Sequence, residues 1–215
     1  MLTARILCID HDQPQPELVA QAASVLRTGG VVAYLTDTLY GLGADAFSAK
    51  AVQRVFRVKS RAQEKALPVI IGSREILPSI VPEISDEGQA LINRFWPGPL
   101  SLVMMASPSL PSILHGNTDK IAVRLPACAV ARALAIVVGG ALTATSANRS
   151  GAVPAQNAAD ALSSLGELVD LIVDSGPALE TRPSTMIDVT VSPPRLLREG
   201  AIPFSKIDAV MKIQR

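Results

Sequence analysis

Between residues 16 and 38 a proline-led stretch, PELVAQAASVLRT, is closed by Gly29-Gly30, runs into the apolar pentad Val31 to Leu35, and then turns polar at Thr36, Asp37 and Thr38. Proline in a first turn, a glycine stop and a stripe of Leu18, Val19, Ala22, Val25 and Leu26 specify a helix. The unbroken apolar run that follows specifies a strand buried on both faces. A chain that starts this way must build a sheet covered by helices, and polar residues at the carboxyl end of such a strand are well placed for a site.

The same grammar repeats downstream. Ser48 is placed to cap a helix carrying Val52, Val55 and Phe56 on one stripe and ending near Lys59. Leu67 to Ile71 reads as a strand, and Ser85 caps a helix running to Phe95, where Trp96-Pro97-Gly98-Pro99 stops it before the strand Leu100 to Met105. Loops fill much of 106–120. A strand at Ile121 to Leu125, a helix from Pro126 to Val138, and a strand from Ala141 to Thr145 then lead into the polar loop SANRSG. A weaker helical pattern near 157–165, strands near 168–173, 186–191 and 196–198, and a helix after Pro203 complete the chain. Some strands succeed one another through loops too short for a helical crossover, so the expected architecture is α/β (α+β) with a twisted mixed sheet, one domain spanning 1–215.

Charge narrows the function. Lys and Arg outnumber Asp and Glu by one, and aromatic residues make up 3% of the chain, which argues against a broad nucleic-acid-binding face or a base-stacking platform. Yet Arg54, Arg57, Lys59, Arg61 and Lys65 crowd one stretch against the single acid Glu64. Arg54 and Arg57 read as a solvated helix face, and Lys59, Arg61 and Lys65 read as a local anion site. The glycines of GLGADA (41 to 46) fit a dinucleotide pattern only loosely, and no P-loop occurs. Cys8 and Cys128, far apart and outside any CxxC, read as small core residues; His11 and His115 read as surface residues with no nucleophile beside them. The amino-terminal segment MLTARILCIDHD lacks the features of a secretory signal, and the uncharged run between Arg132 and Arg149 is shorter than the roughly 20 apolar residues of a membrane span, so a cytoplasmic protein without membrane contact is expected.

The succession TDTLYGLGADA, KSRAQEKALPVII, FWPGPLSLVM, AVRLPA, TSANRSG, PSTMID and LLREGAI resembles the YrdC-type threonylcarbamoyl-AMP synthases over nearly the whole chain and in order. The family's Lys-x-Arg and Ser-x-Asn signature falls on Lys59, Arg61, Ser146 and Asn148. The resemblance implies a YrdC-like domain with a basic concave cleft, in which L-threonine, bicarbonate or CO2, and ATP with Mg2+ give threonylcarbamoyl-adenylate and pyrophosphate. Partner proteins would use that adenylate to modify tRNA. It also implies that Thr38 and Arg124, with backbone near Ala144, hold threonine, and that Lys59, Arg61, Lys65, Ser146, Asn148 and Arg198 surround ATP. Lys59 and Arg61 would act electrostatically, without a covalent nucleophile. Magnesium would enter on the ATP phosphates.

These residue types suit that chemistry. A threonine carbamate is already a nucleophile, so the protein must supply placement and charge neutralisation rather than a base. Water destroys both carbamate and mixed anhydride, so a closing element is expected, and Ser60 to Lys65 is the candidate. The chain departs from the pattern at Leu35, where many members have proline, and near Ile70, where some archaeal-type members place a threonine-contacting histidine. It also stops soon after Arg198, without the further domain of longer members. Two other readings of the same fold are an RNA-binding module, with weak RNA affinity, and a carbamoyl-transfer relative.

Overall fold

The computed structural model describes residues 4–213. In chain order the elements are β1 (Arg5–Cys8), α1 (Pro16–Arg27), β2 (Val32–Leu35), β3 (Tyr40–Gly43), α2 (Ala49–Lys59), β4 (Val69–Ile71), α3 (Leu77–Ile80), α4 (Asp86–Phe95), β5 (Leu100–Met105) and α5 (Ser112–His115). There follow β6 (Lys120–Arg124), α6 (Ala129–Val138), β7 (Ala141–Thr143), β8 (Thr145–Ser146), α7 (Ala158–Leu165), β9 (Leu171–Asp174), β10 (Thr185–Asp188), β11 (Arg195–Arg198) and α8 (Phe204–Ile213). The expected mixed strand order is present, but divided between two sheets, β1-β9-β2-β3-β8 and β11-β10-β5-β6-β4-β7.

Alternation along β2 shows why its sequence is uniformly apolar. Ala33 and Leu35 join the larger core cluster, which also takes up α2, α4, β5 and β6. Val32 and Tyr34 point the other way, into a second cluster with α1 and α6. Both faces of the strand are therefore buried, and no position can be polar until the strand ends.

The two sheets meet at Ala144. Residues 141–145, expected as one strand, are split there: β7 pairs with β4 in the second sheet, and β8 pairs with β3 in the first. Hydrogen bonding pins the crossing, because the Thr143 hydroxyl donates to Leu42 O and accepts from Ala44 N, while Ala144 N donates to Pro68 O. Ala144 is thus forced out of both ladders and its neighbours are delivered to a shared cleft.

Other expectations shift for local reasons. Ser48 and Ser85 do cap α2 and α4, accepting from Ala51 N and Gly88 N. Helix α6 begins at Ala129 rather than Pro126, because Arg132 Nη1 binds the carbonyls of Pro126 and Ala127 and holds 126–128 as a loop. The strand β3 was hidden by its glycines: a Cβ on Gly43 would sit 2.7 Å from the Tyr34 ring, so GLG is a strand pressed against an aromatic and not a phosphate loop. Cys128 is buried as expected, but Cys8 is exposed at the end of β1. His115 is buried rather than on the surface. Arg54 is no free helix face; it pairs with Asp170, whose other oxygen accepts from Val31 N. No helix among the described residues is long and apolar enough to cross a membrane.

Gly72, at the exit of β4, packs under α6, where an added Cβ would meet Ile136 N at 2.8 Å and Arg132 O at 2.9 Å. Backbone cannot yield as a side chain can. Gly72→Ala is therefore expected to cost about 2 kcal/mol or more, read as a lowered denaturant midpoint.

Candidate functional site

A cleft of about 730 Å³ lies over the face of the six-stranded sheet, beside the seam at Ala144. Strand alternation supplies its floor: Ser101 and Val103 of β5, Ala122 and Arg124 of β6, and Met186 and Asp188 of β10 face it, two residues apart in each strand. Its charged lining is one-sided. Arg61, Lys120, Arg124, Arg195 and Arg198 stand against the single carboxylate Asp188. Burial would raise Asp188, but hydrogen bonds from Thr190 and Lys120 outweigh it and hold its carboxyl below the usual range, so this acid is already committed.

Thr38 and Arg124 come together at one wall. Arg124 ends β6, is 5% exposed, and reaches Thr38 Oγ1 at 3.4 Å through Nη1, which also donates to Asp37 Oδ1 at 2.5 Å. The turn between β2 and β3 is held by Thr36, whose hydroxyl donates to Leu39 O and lies 3.1 Å from the Thr38 hydroxyl. Among the described residues, Arg124 Nε and Nη2 make no hydrogen bond, and the residue lines the cleft, so half of a carboxylate-binding fork remains to be used. Ala144 lines the cleft beside it. Ile70 is buried on the opposite face with α6, so no side chain reaches threonine's expected place from that position; Pro68 and Val69 form the wall instead.

Lys59, Ser146 and Asn148 are brought together as a hydrogen-bonded unit, but with unequal exposure. Lys59 is 2% exposed, and its ammonium donates to Ser146 O at 2.6 Å, Asn148 O at 2.9 Å and Asn148 Oδ1 at 3.0 Å. All three of its donors are spent. Ser146 Oγ donates to Asn148 Oδ1, and Asn148 Nδ2 to Ala152 O. Of the three, only Ser146 lines the cleft; Lys59 and Asn148 lie behind it and fix its loop. Burial, then repulsion from Arg61, pulls Lys59 down from 10.5 to about 8.

Arg61 also lines the cleft, with Nε and Nη2 bonded to the carbonyls of Lys65 and Ala66, so it folds the segment after α2 back on itself. Lys65 is exposed and is not part of the wall. Arg198 is set on the far side by Ser184, which accepts Nε at its carbonyl and Nη2 at its hydroxyl, while Ser184 and Ser101 share a 2.8 Å hydrogen bond. Partial burial, and after it the Arg124 charge, weakens Arg198's hold on its proton. Two guanidiniums facing one cleft make an anion between them favourable.

The family model Sua5_yciO_yrdC, described as "Telomere recombination", matches residues 24–200. The chain belongs to the Sua5/YciO/YrdC family. A threonylcarbamoyl-AMP synthase of Pyrococcus abyssi is 38% identical over 190 residues, 88% of this chain and 56% of its own length. A putative threonylcarbamoyl-AMP synthase of Mycobacterium leprae is 36% identical over 206 residues, covering 96% of this chain and 93% of that protein. The crystal structure of P. abyssi Sua5 complexed with L-threonine superimposes with a TM-score of 0.92 at 36% identity, over 95% of this chain and 60% of that one. The chain therefore spans somewhat more than half the length of the P. abyssi relative and nearly all of the mycobacterial one.

Within this Sua5/YciO/YrdC fold, Ser101, Ser184, Lys120 and Asp188 line the cleft and were not singled out by sequence, whereas Asp37 was marked only as one of three polar residues at the end of β2 and given no partner. Ser101 and Asp188 carry the one available signal, a polar residue inside an otherwise apolar strand. Ser184 and Lys120 show nothing unusual until the sheet is assembled, and the partnership of Asp37 with Arg124 appears only then.

Proposed function

We propose that this chain is a threonylcarbamoyl-AMP synthase, a nucleotidyl-transferring enzyme acting on L-threonine, bicarbonate or CO2, and ATP. The observation that carries the reading is the cationic cleft in which the half-used fork of Arg124 lies beside Thr38, with Arg61, Ser146 and Arg198 also on its wall. The likeness to a family member complexed with L-threonine supports the assignment of the Arg124 end to the amino-acid carboxylate.

In this reading Arg124 and Thr38 fix the carboxylate of threonine, and the carbamate formed on its amine attacks the α-phosphorus of ATP. The phosphorus–oxygen bond to pyrophosphate breaks as the new one forms, and Arg61 and Arg198 offset the charge moving onto the leaving group. Ser146, on a loop braced by Lys59 and Asn148, contributes a hydroxyl to the same wall. Lys65 would join only if its segment folds inward, and the turn from Ser60 to Lys65 is the closing element we propose. No group of three or more His, Cys, Asp or Glu among the described residues is placed to hold a metal. Magnesium would enter on the triphosphate, with oxygen ligands from phosphate and water, where it would neutralise the leaving group. Proteins of cytosolic tRNA modification would then consume the adenylate.

The test is pyrophosphate release from ATP with threonine, bicarbonate and Mg2+ omitted in turn. Release that requires all three supports the reading. Release unaffected by threonine, or tight RNA binding with no turnover, rejects it.

A further inference from the structure

Thr36 and Thr38 both line the cleft, but Asp37 between them does not; it points behind the wall and meets Arg124 from the back. Its side chain is 10% exposed and that of Arg124 7%. One carboxylate oxygen takes Arg124 Nη1 and the other accepts from Ala127 N at 3.1 Å, so a single acid ties the β2–β3 turn to the guanidinium and to the loop leading into α6. That loop is braced a second time by Arg132.

From this geometry we infer that Asp37 is a positioning residue that sets the substrate-facing edge of Arg124, and so the affinity for an α-amino-acid carboxylate. The inference deepens the proposed function and rests on it. Two physical points carry it. An unclamped arginine samples many rotamers and must lose that freedom on binding, whereas Arg124 held at Nη1 is already aimed. Arg124 shares the cleft wall with Arg198, a like charge. Without a nearby acid, that repulsion would favour turning Arg124 away; Asp37 offsets it from outside the cleft, leaving the inner face free for substrate. Asp37 thereby acts on threonine through Arg124 and not on the nucleotide.

The experiment uses the full chain and compares L-threonine binding by calorimetry, together with KM for threonine and for ATP, in wild type, Asp37→Asn, Arg124→Lys and the double variant. Asp37→Asn keeps the shape and one acceptor, so its melting temperature serves as the folding control. Weakening of threonine binding by about tenfold is expected, with a matching rise in threonine KM, an ATP KM within about twofold of wild type, and little change in kcat. In the Arg124→Lys background the same change should add less than about twofold, because the group through which Asp37 acts has lost its fork. Wild-type threonine affinity in Asp37→Asn, a parallel rise of both KM values, or full additivity with Arg124→Lys would each overturn the inference. A wild-type chain that binds no threonine would overturn the functional reading and this inference with it; wild type that binds while Asp37→Asn binds equally well overturns the inference alone.

Discussion

Arg124→Ala is expected to reduce threonine-dependent turnover by about 100-fold or more and to destabilise the fold at the same time. The first loss is the carboxylate's partner; cutting one member of a buried, hydrogen-bonded charge pair typically costs about 2–5 kcal/mol of binding. The second arises in the protein itself, because Asp37, whose side chain is 10% exposed beside Arg124, is left with only Ala127 N donating to it. An uncompensated buried carboxylate costs about 3 kcal/mol. Arg124→Lys separates the two effects: it retains the charge facing Asp37 but cannot form two parallel bonds to a carboxylate, so stability should largely return while threonine KM stays high. Steady-state kinetics and thermal melts of the two variants check this. An alanine variant with normal threonine KM would show that the carboxylate is held elsewhere.

Lys59→Ala carries the second large expectation, and the structure changes its character. The family resemblance casts Lys59 and Arg61 alike, as electrostatic groups at ATP. In the fold, Lys59 is spent on three oxygens of the Ser146–Asn148 loop, whereas Arg61 lines the cleft and binds carbonyls of its own segment. Removing Lys59 strands buried acceptors at about 1–3 kcal/mol apiece where no water replaces it, so both stability and turnover should fall. Arg61→Ala should lower turnover with much less effect on melting.

The Lys59 ammonium also predicts a pH dependence. With its pKa at about 8, the lysine loses its proton, and with it one of three donors, as pH rises through that value. The alkaline limb of kcat/KM for ATP should fall near pH 8, and Lys59→Arg should move it upward because a guanidinium stays charged. For stability the sign is opposite. The unfolded chain keeps this proton to about pH 10.5, so the desolvated charge costs stability below pH 8, and the cost is relieved as pH rises from about 8 to 10.5. An alkaline limb unchanged in Lys59→Arg would remove Lys59 from the account of activity.

Much of this was legible from residues alone where one segment decides its own structure. The cap serines, the glycine stop at Gly29-Gly30 and the apolar run of β2 each state a local preference that the fold keeps. What stayed hidden depends on a neighbour distant in sequence. Gly41 and Gly43 look like loop residues until Tyr34 is packed over β3. The break at Ala144 follows from Pro68 and Ala44, and nothing within residues 141–145 announces it. The site divides in the same way. Thr38, Arg124 and Ser146 were assigned through resemblance and share one cleft, whereas the support given by Asp37 to Arg124, 87 residues away, and by Ser184 to Arg198, 14 residues away, exists only once β6 is set against the β2–β3 turn and β11 is paired antiparallel with β10.

The most direct measurement is the mass of the product formed from ATP, L-threonine and 13C-labelled bicarbonate. Threonylcarbamoyl-adenylate should appear one mass unit heavier than with unlabelled bicarbonate, together with an equal amount of pyrophosphate, and should vanish when threonine is left out. Pyrophosphate released without an adenylate that carries the label would contradict the proposed reaction.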